Sequence, residues 1–278
     1  MNIDKFALPI LDKLALSVRC SSLSDTELRG VLVNVSYLKL FRGNKLDFPF
    51  VLGRSIRGLS FKDQIHKDAF GTTIAGLRDY GDTETVFGAL YSRYREERSL
   101  TAADIISLSN RHALAAYPAW ALVLPWENMT VLNRYSSYLQ QLQENRRSYL
   151  PRCYNDVDVE SSEFPYSPTM ARTQITQSYE LLKSVRKKYH FTDADLPKVN
   201  ILMADGEWRW FMSWSGNHRA YILSALDYSA ITARIDRVIR RSDYLRWNNV
   251  GNGLFSPSEA LKIFDQVFLG EELVRGII

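Results

Sequence analysis

Cysteine is almost absent from this chain. Among 278 residues there are two, Cys20 and Cys153. They are too few and too far apart for a C-x-x-C pair, a structural zinc cluster or a disulfide framework. A reducing compartment is the simpler expectation. Long apolar runs are missing as well: no stretch approaches the ~20 residues of a membrane span. The first sixteen residues carry Asp4, Lys5, Asp12 and Lys13 where a signal peptide would need an unbroken apolar centre. Together these predict a cytoplasmic protein with no membrane span. Charge of one sign is scarce too, since 35 Lys and Arg face 31 Asp and Glu for a net +4, and the two signs are interspersed. That balance gives no evident nucleic-acid footprint from charge alone, and anionic small molecules suit it equally well. Walker, G-x-G-x-x-G, zinc-ligand and G-x-S-x-G patterns are all missing, which leaves the common nucleotide and hydrolase machineries unsupported.

What is present is enough apolar and aromatic material, 46% and 12% of residues, to bury a core of one large or two small domains. Ile3, Phe6, Ile10, Leu11 and Leu14 recur at helical spacing and predict an amphipathic N-terminal helix. The Val31–Val35 run is compatible with helix or strand. Phe48–Arg54 reads as a short extended piece ending in a turn. Helix starts follow near Ser60, Asp82 and Thr101, and a last one at Ser256-Pro257-Ser258-Glu259, with proline at the first helical position. Between Tyr149 and Pro168 the chain becomes acidic and proline-punctuated. Asp156, Asp158, Glu160 and Glu163 lack the glycine spacing of a calcium loop and read as a solvated linker, so no metal site is expected there. The predicted organisation is a mainly helical domain over 1–150, a linker over 151–170, and a smaller mixed-sheet domain with a C-terminal helix over 171–278. The predicted fold class is α+β.

The most informative stretch is Val199–Ile235. Val199–Met203 is a short apolar strand, and Asp205-Gly206 is the signal for a two-residue type I′ hairpin. The returning strand is Trp208–Trp214. Gly216-Asn217-His218-Arg219 then opens a helix over Ala220–Leu226, and Ile231–Ile235 closes as a strand. A strand that feeds a polar glycine turn at a helix start aims backbone N–H groups and the positive end of the helix dipole outward, which suits a phosphate. His218 and Arg219 stand in the first turn, where the dipole disfavours cations, so their position calls for another reason.

The string G-N-H-R-A, with the hairpin before it and the strand Ile231–Ile235 after it, resembles the nucleotide-binding box of the ParB/sulfiredoxin superfamily. Ser178–Val185 resembles the short helix that precedes that family's hairpin. The likeness covers roughly Arg172–Arg240. The C-terminal segment around Tyr244–Val250 and Ser258–Phe264 is similar to uncharacterised bacterial proteins that occur among surface-polysaccharide genes. The resemblance implies a nucleotide, ATP or CTP with Mg²⁺, held by the turn Gly216, Asn217, His218 and Arg219, with Arg234 close by. Sulfiredoxin activity is not implied because no cysteine lies at the box. DNA partition is not implied because no helix-turn-helix follows it.

Two readings of function follow. One is a kinase-like, nucleotide-dependent phosphotransferase that acts on a small hydroxylated or carbohydrate substrate, possessing His218 for hydrogen bonding or proton transfer and a carboxylate to orient the attacking hydroxyl. Glu180, Asp205 and Glu127 are the candidates for that carboxylate. The other is a non-catalytic nucleotide-binding regulator, with a nucleic-acid-binding protein ranked third. Trp126-Glu127 has its own pair of readings: a ring and carboxylate that hold a sugar, or an interdomain core residue beside a helix cap. Two further basic groups, Arg186–Lys188 and Arg234–Arg241, are expected to converge on the glycine turn.

Overall fold

The computed structural model describes residues 45–55, 58–62, 69–149, 168–187, 196–212 and 216–271. The expected N-terminal helix, the Val31–Val35 run, both cysteines and residues 150–167 of the acidic stretch lie outside the described residues. The strands are β1 (Lys45–Pro49), β2 (Gly53–Arg54), β3 (Lys198–Ala204), β4 (Glu207–Met212) and β5 (Ala230–Arg240). The helices are α1 (Ala69–Tyr80), α2 (Thr83–Arg98), α3 (Ala102–Ile105), α4 (Val131–Tyr149), α5 (Pro168–Lys187), α6 (Asn217–Ala225), α7 (Asn248–Gly251) and α8 (Pro257–Leu269). The class is α+β, as the sequence predicts.

The strands form one mixed sheet in the order β1-β5-β3-β4-β2. β3 lies at its centre, antiparallel to β4 and parallel to β5, while β1 pairs antiparallel with β5 and β2 parallel with β4. Side chains alternate between faces along a strand. Val199, Ile201 and Met203 of β3 therefore join Trp208, Trp210 and Met212 of β4 in one core, beneath α1, α2, α5 and α6. Leu202 and Phe211 face the other way and join Trp126, Trp247 and Phe264 beneath α3, α7 and α8. Burial on both faces explains why β3 is nearly all apolar rather than alternating.

A bulge between β3 and β5 has a consequence for charge. Val199 pairs with Ile235 but Asn200 pairs with Arg237, so Asp236 is extra. Before it, Ile231, Ala233 and Ile235 face the first core; after it, Val238 takes that face and Ile239 the second. Arg234 and Arg237 thus both fall on the second face.

Strands from either side of residues 151–170 share this sheet, and each core draws on both sides: Phe48 and Ile74 meet Ile201 and Trp210, while Leu114 and Trp126 meet Phe211 and Phe264. The division expected from the acidic, proline-rich composition does not separate two cores. β1 and β2 also belong to the part predicted as mainly helical, because edge pairing with distant strands leaves no periodicity in so few residues.

Local chemistry sets the ends of the elements. Asp205 at φ 48 and Gly206 at φ 79 form the two-residue hairpin turn, with the positive φ at both positions that a type I′ turn requires. Asp82 accepts from the Glu84 amide at 2.9 Å and from Thr85 Oγ1 at 2.6 Å, capping α2. Thr101 with Asp104 and Ser256 with Glu259 make capping boxes on α3 and α8, the latter with proline in its first turn.

Candidate functional site

Gly216 is the N-cap of α6, in the left-handed region at φ 88 and ψ 5. A Cβ built on it would sit 2.3 Å from Pro197 Cβ and 3.1 Å from Pro197 Cα. Both the conformation and the close approach therefore demand glycine. The first intrahelical bond runs from the Ala220 amide to the Gly216 carbonyl at 3.1 Å. The cap residue, a glycine, has no side chain with which to cap the helix, and the first turn holds no acid. Asn217, His218 and Arg219 occupy that turn, so the residue types and the dipole combine into one positive end. Ala220–Leu223 bury α6 in the first core, and the turn is held beside Pro197, where β3 begins.

The His218 ring stacks on Phe70 of α1, with centroids 4.5 Å apart and planes 21° apart, and Phe70 meets Tyr221 edge-on at 5.1 Å. His218 keeps an exposed edge while the crowding on its other sides desolvates the imidazolium and lowers its pKa. The exposed edge limits that lowering. His218 is accordingly neutral near pH 7, able to donate one hydrogen bond but contributing no full charge. Arg219, half-buried, is the cation of this turn.

Arg234 is adjacent in backbone only. Its amide donates to the Pro197 carbonyl at 2.9 Å, yet it lies between Ala233 and Ile235, which face the first core. Its side chain therefore emerges on the second face, across the sheet from α6. The expected grouping of Arg234 with Arg219 is corrected by this alternation.

The three carboxylates expected to serve catalysis do not meet at the turn. Asp205 sits at the hairpin tip, separated from Pro197 by the whole of β3, roughly 26 Å at ~3.3 Å per residue. Glu127 is buried, accepts from the Leu124 amide at 3.1 Å and pairs with Arg134 at 2.8 Å, both side chains being 9% exposed. Burial lowers the Arg134 pKa and Glu127 opposes that. Trp126 beside it packs edge-on to Phe211, Trp247 and Phe264, so it is a core residue as the second reading expects, whereas the Asn133 amide at the start of α4 donates to Thr130 Oγ1 rather than to Glu127. Asn249 fixes the same turn from α7, donating from Nδ2 to the carbonyls of Leu124, Glu127 and Met129 at 3.0, 3.2 and 3.2 Å. Glu180 is exposed on α5 and pairs with Lys183 at 2.9 Å.

The further basic groups also fail to converge. Arg186 Nη2 donates to the Arg78 carbonyl, and Arg78 Nη1 donates to the Ala225 carbonyl at 2.7 Å. Arg186 thus lies toward the C-terminal end of α6, about 13 Å along the helix from Gly216 at ~1.5 Å per residue. Arg240 and Arg241 line a cleft of about 240 Å³ with Asp205, Gly206 and Ser242 at the opposite end of the sheet. Arg241 is engaged by Asp265 at 2.7 and 2.8 Å.

Sequence reasoning missed Phe70 and Pro197 as parts of the turn's environment. Pro197 had a local signal, since it stands just ahead of an apolar strand; Phe70 had none. The donor set of the turn, one guanidinium and a neutral imidazole at a helix start with glycine as its N-cap, fits a phosphate group. The carboxylates that Mg²⁺ would need are not gathered there, and among the described residues no three His, Cys, Asp or Glu side chains come together to hold a metal ion. No family model, curated protein or solved structure matches this chain.

Proposed function

We propose that the Gly216 turn binds the phosphate of a nucleotide, ATP or CTP, and that the protein acts as a nucleotide-binding regulator rather than as a catalyst. The observation that carries this reading is the glycine wedge itself: Gly216 in the left-handed region against Pro197 starts a helix whose first turn contains Arg219 and His218 and no acid. The amides of a helix start and a guanidinium in its first turn are the kinds of donor that an anionic ligand uses. The order of hairpin, glycine turn, helix and strand is also the order that the ParB/sulfiredoxin-like resemblance implies.

Phosphoryl transfer to a small hydroxylated or carbohydrate substrate needs a carboxylate within hydrogen-bond reach of the attacking oxygen. Glu127 is enclosed with Arg134, Asp205 lies a strand length away, and Glu180 is paired on an exposed helix face. These positions favour binding over turnover. Calorimetry with ATP and CTP, alone and with Mg²⁺, alongside a phosphate-release assay tests the reading: saturable binding with no release supports the regulator, and release stimulated by a sugar supports the transferase.

A further inference from the structure

The second face of the sheet carries a row of cations. β1 and β5 pair Lys45 with Arg234, and β5 and β3 pair the same Arg234 with Lys198. Cross-strand partners share a face, so Lys45, Arg234 and Lys198 stand side by side over two strand spacings, about 10 Å. Like charges directly opposite in a sheet destabilise it. Neither Arg234 nor Lys198 forms an ion pair within the described residues, and Arg234 Nε is buried without a hydrogen-bond partner. The acid on this strip, Asp47, accepts from Thr232 Oγ1 at 2.6 Å.

One pair further along, Asn200 faces the same side beside Arg237. Asn200 is 4% exposed and its Oδ1 has no partner. Arg237 Nη1 donates to the Trp126 carbonyl at 3.3 Å, which marks where the second core begins. A buried polar group without a partner is costly. The Asn200 oxygen is an acceptor that lacks a donor; the unpartnered donor of this strip is Arg234 Nε, one pair away, and it is this group that an anion would satisfy.

We propose that this half-face, on which Lys45, Asp47 and Lys198 are exposed, binds a linear chain of linked phosphates lying across β1, β5 and β3. Arg234 grips phosphate oxygens at the centre, and Lys45 and Lys198 neutralise the groups on either side. The strand positions that form this half-face, Lys45, Asp47, Thr232, Arg234, Lys198 and Asn200, offer no aromatic ring to take a base, which favours an oligophosphate over a nucleotide. The site is independent of the Gly216 turn, from which the sheet separates it.

The test is titration calorimetry of the full chain with sodium tripolyphosphate in an Arg219→Ala background, which removes the cation of the turn. Binding persists in that background, weakens steeply with salt, and falls about tenfold or more when Lys198→Gln or Arg234→Gln is added. Lys198→Gln, an exposed position, also raises the melting temperature of the unliganded protein by relieving the like-charge row. Loss of all tripolyphosphate binding in Arg219→Ala, or indifference to both Lys198→Gln and Arg234→Gln, overturns the site. ATP binding more tightly than tripolyphosphate with the same dependence on Arg234 overturns the choice of occupant. The Gly216 reading has its own signature, loss of nucleotide binding in Arg219→Ala with Lys198 intact, so either can fail alone.

Discussion

Gly216 lies against Pro197 so closely that a methyl group on the glycine would fall 2.3 Å from the proline Cβ. That one contact ties the start of α6 to the start of the central strand and sets where the first turn of the helix points. Gly216→Ala meets both this clash and a left-handed φ of 88°, and is expected to cost about 2–4 kcal/mol. Gly206→Ala, at φ 79 with nothing within 4 Å of its added Cβ, carries only the conformational term, about 1 kcal/mol. Urea unfolding of the two variants checks the ranking; equal losses would show that the Pro197 contact relaxes freely.

Asn249→Ala removes the donor that three buried or part-buried carbonyls of the 124–129 turn share. The expected loss is about 3 kcal/mol, since buried acceptors left unpaired are costly. Denaturant titration measures it directly, and a loss below about 1 kcal/mol would mean that the turn holds its shape by other contacts.

Glu127→Ala leaves Arg134 buried without its carboxylate, and a loss of roughly 3–5 kcal/mol is expected. Replacing both partners with apolar residues, as in Glu127→Leu with Arg134→Met, costs clearly less because no lone charge remains. The comparison separates an ion pair kept for structure from a carboxylate kept for chemistry, since the double variant retains its nucleotide binding under the structural account.

His218 has a folded-state pKa below its ordinary value, so the unfolded chain takes up the proton more readily. Its contribution to stability is therefore present above about pH 6.5 and is lost as pH falls through that value and then through the lower folded one. His218→Phe keeps a ring to stack on Phe70 and removes the proton site. Unfolding measured from pH 5 to 8 is expected to show wild type losing stability relative to this variant only on the acid side. Parallel curves over the whole range would contradict the assignment.

Local chemistry was legible in the sequence. Asp205-Gly206, Gly216, Asp82 and the Ser256–Glu259 box each announce a turn or a cap through residues that touch one another along the chain, and each appears where the pattern predicts it. Facing and distance were not. Whether Arg234 joins the turn depends on strand alternation, and where Arg237 points depends on a one-residue bulge that no motif encodes. Glu127 reads as a free carboxylate until Arg134 and Asn249 enclose it. Arg186 reads as part of a basic cluster until Arg78 draws it to the far end of α6. The acidic 151–170 stretch suggests a boundary because composition changes there, while the sheet and both cores pack residues from either side.

The central claim is that Arg219 and the glycine turn grip a phosphate. Its most direct test is calorimetric titration of ATP and CTP into wild type and Arg219→Ala, with Arg186→Ala as the control remote from the turn. Removal of a charge-assisted contact predicts a 10- to 100-fold weaker dissociation constant, roughly 1.5–3 kcal/mol, in Arg219→Ala, and no change in Arg186→Ala. Unchanged nucleotide affinity in Arg219→Ala, with the variant folded as wild type, would contradict the account.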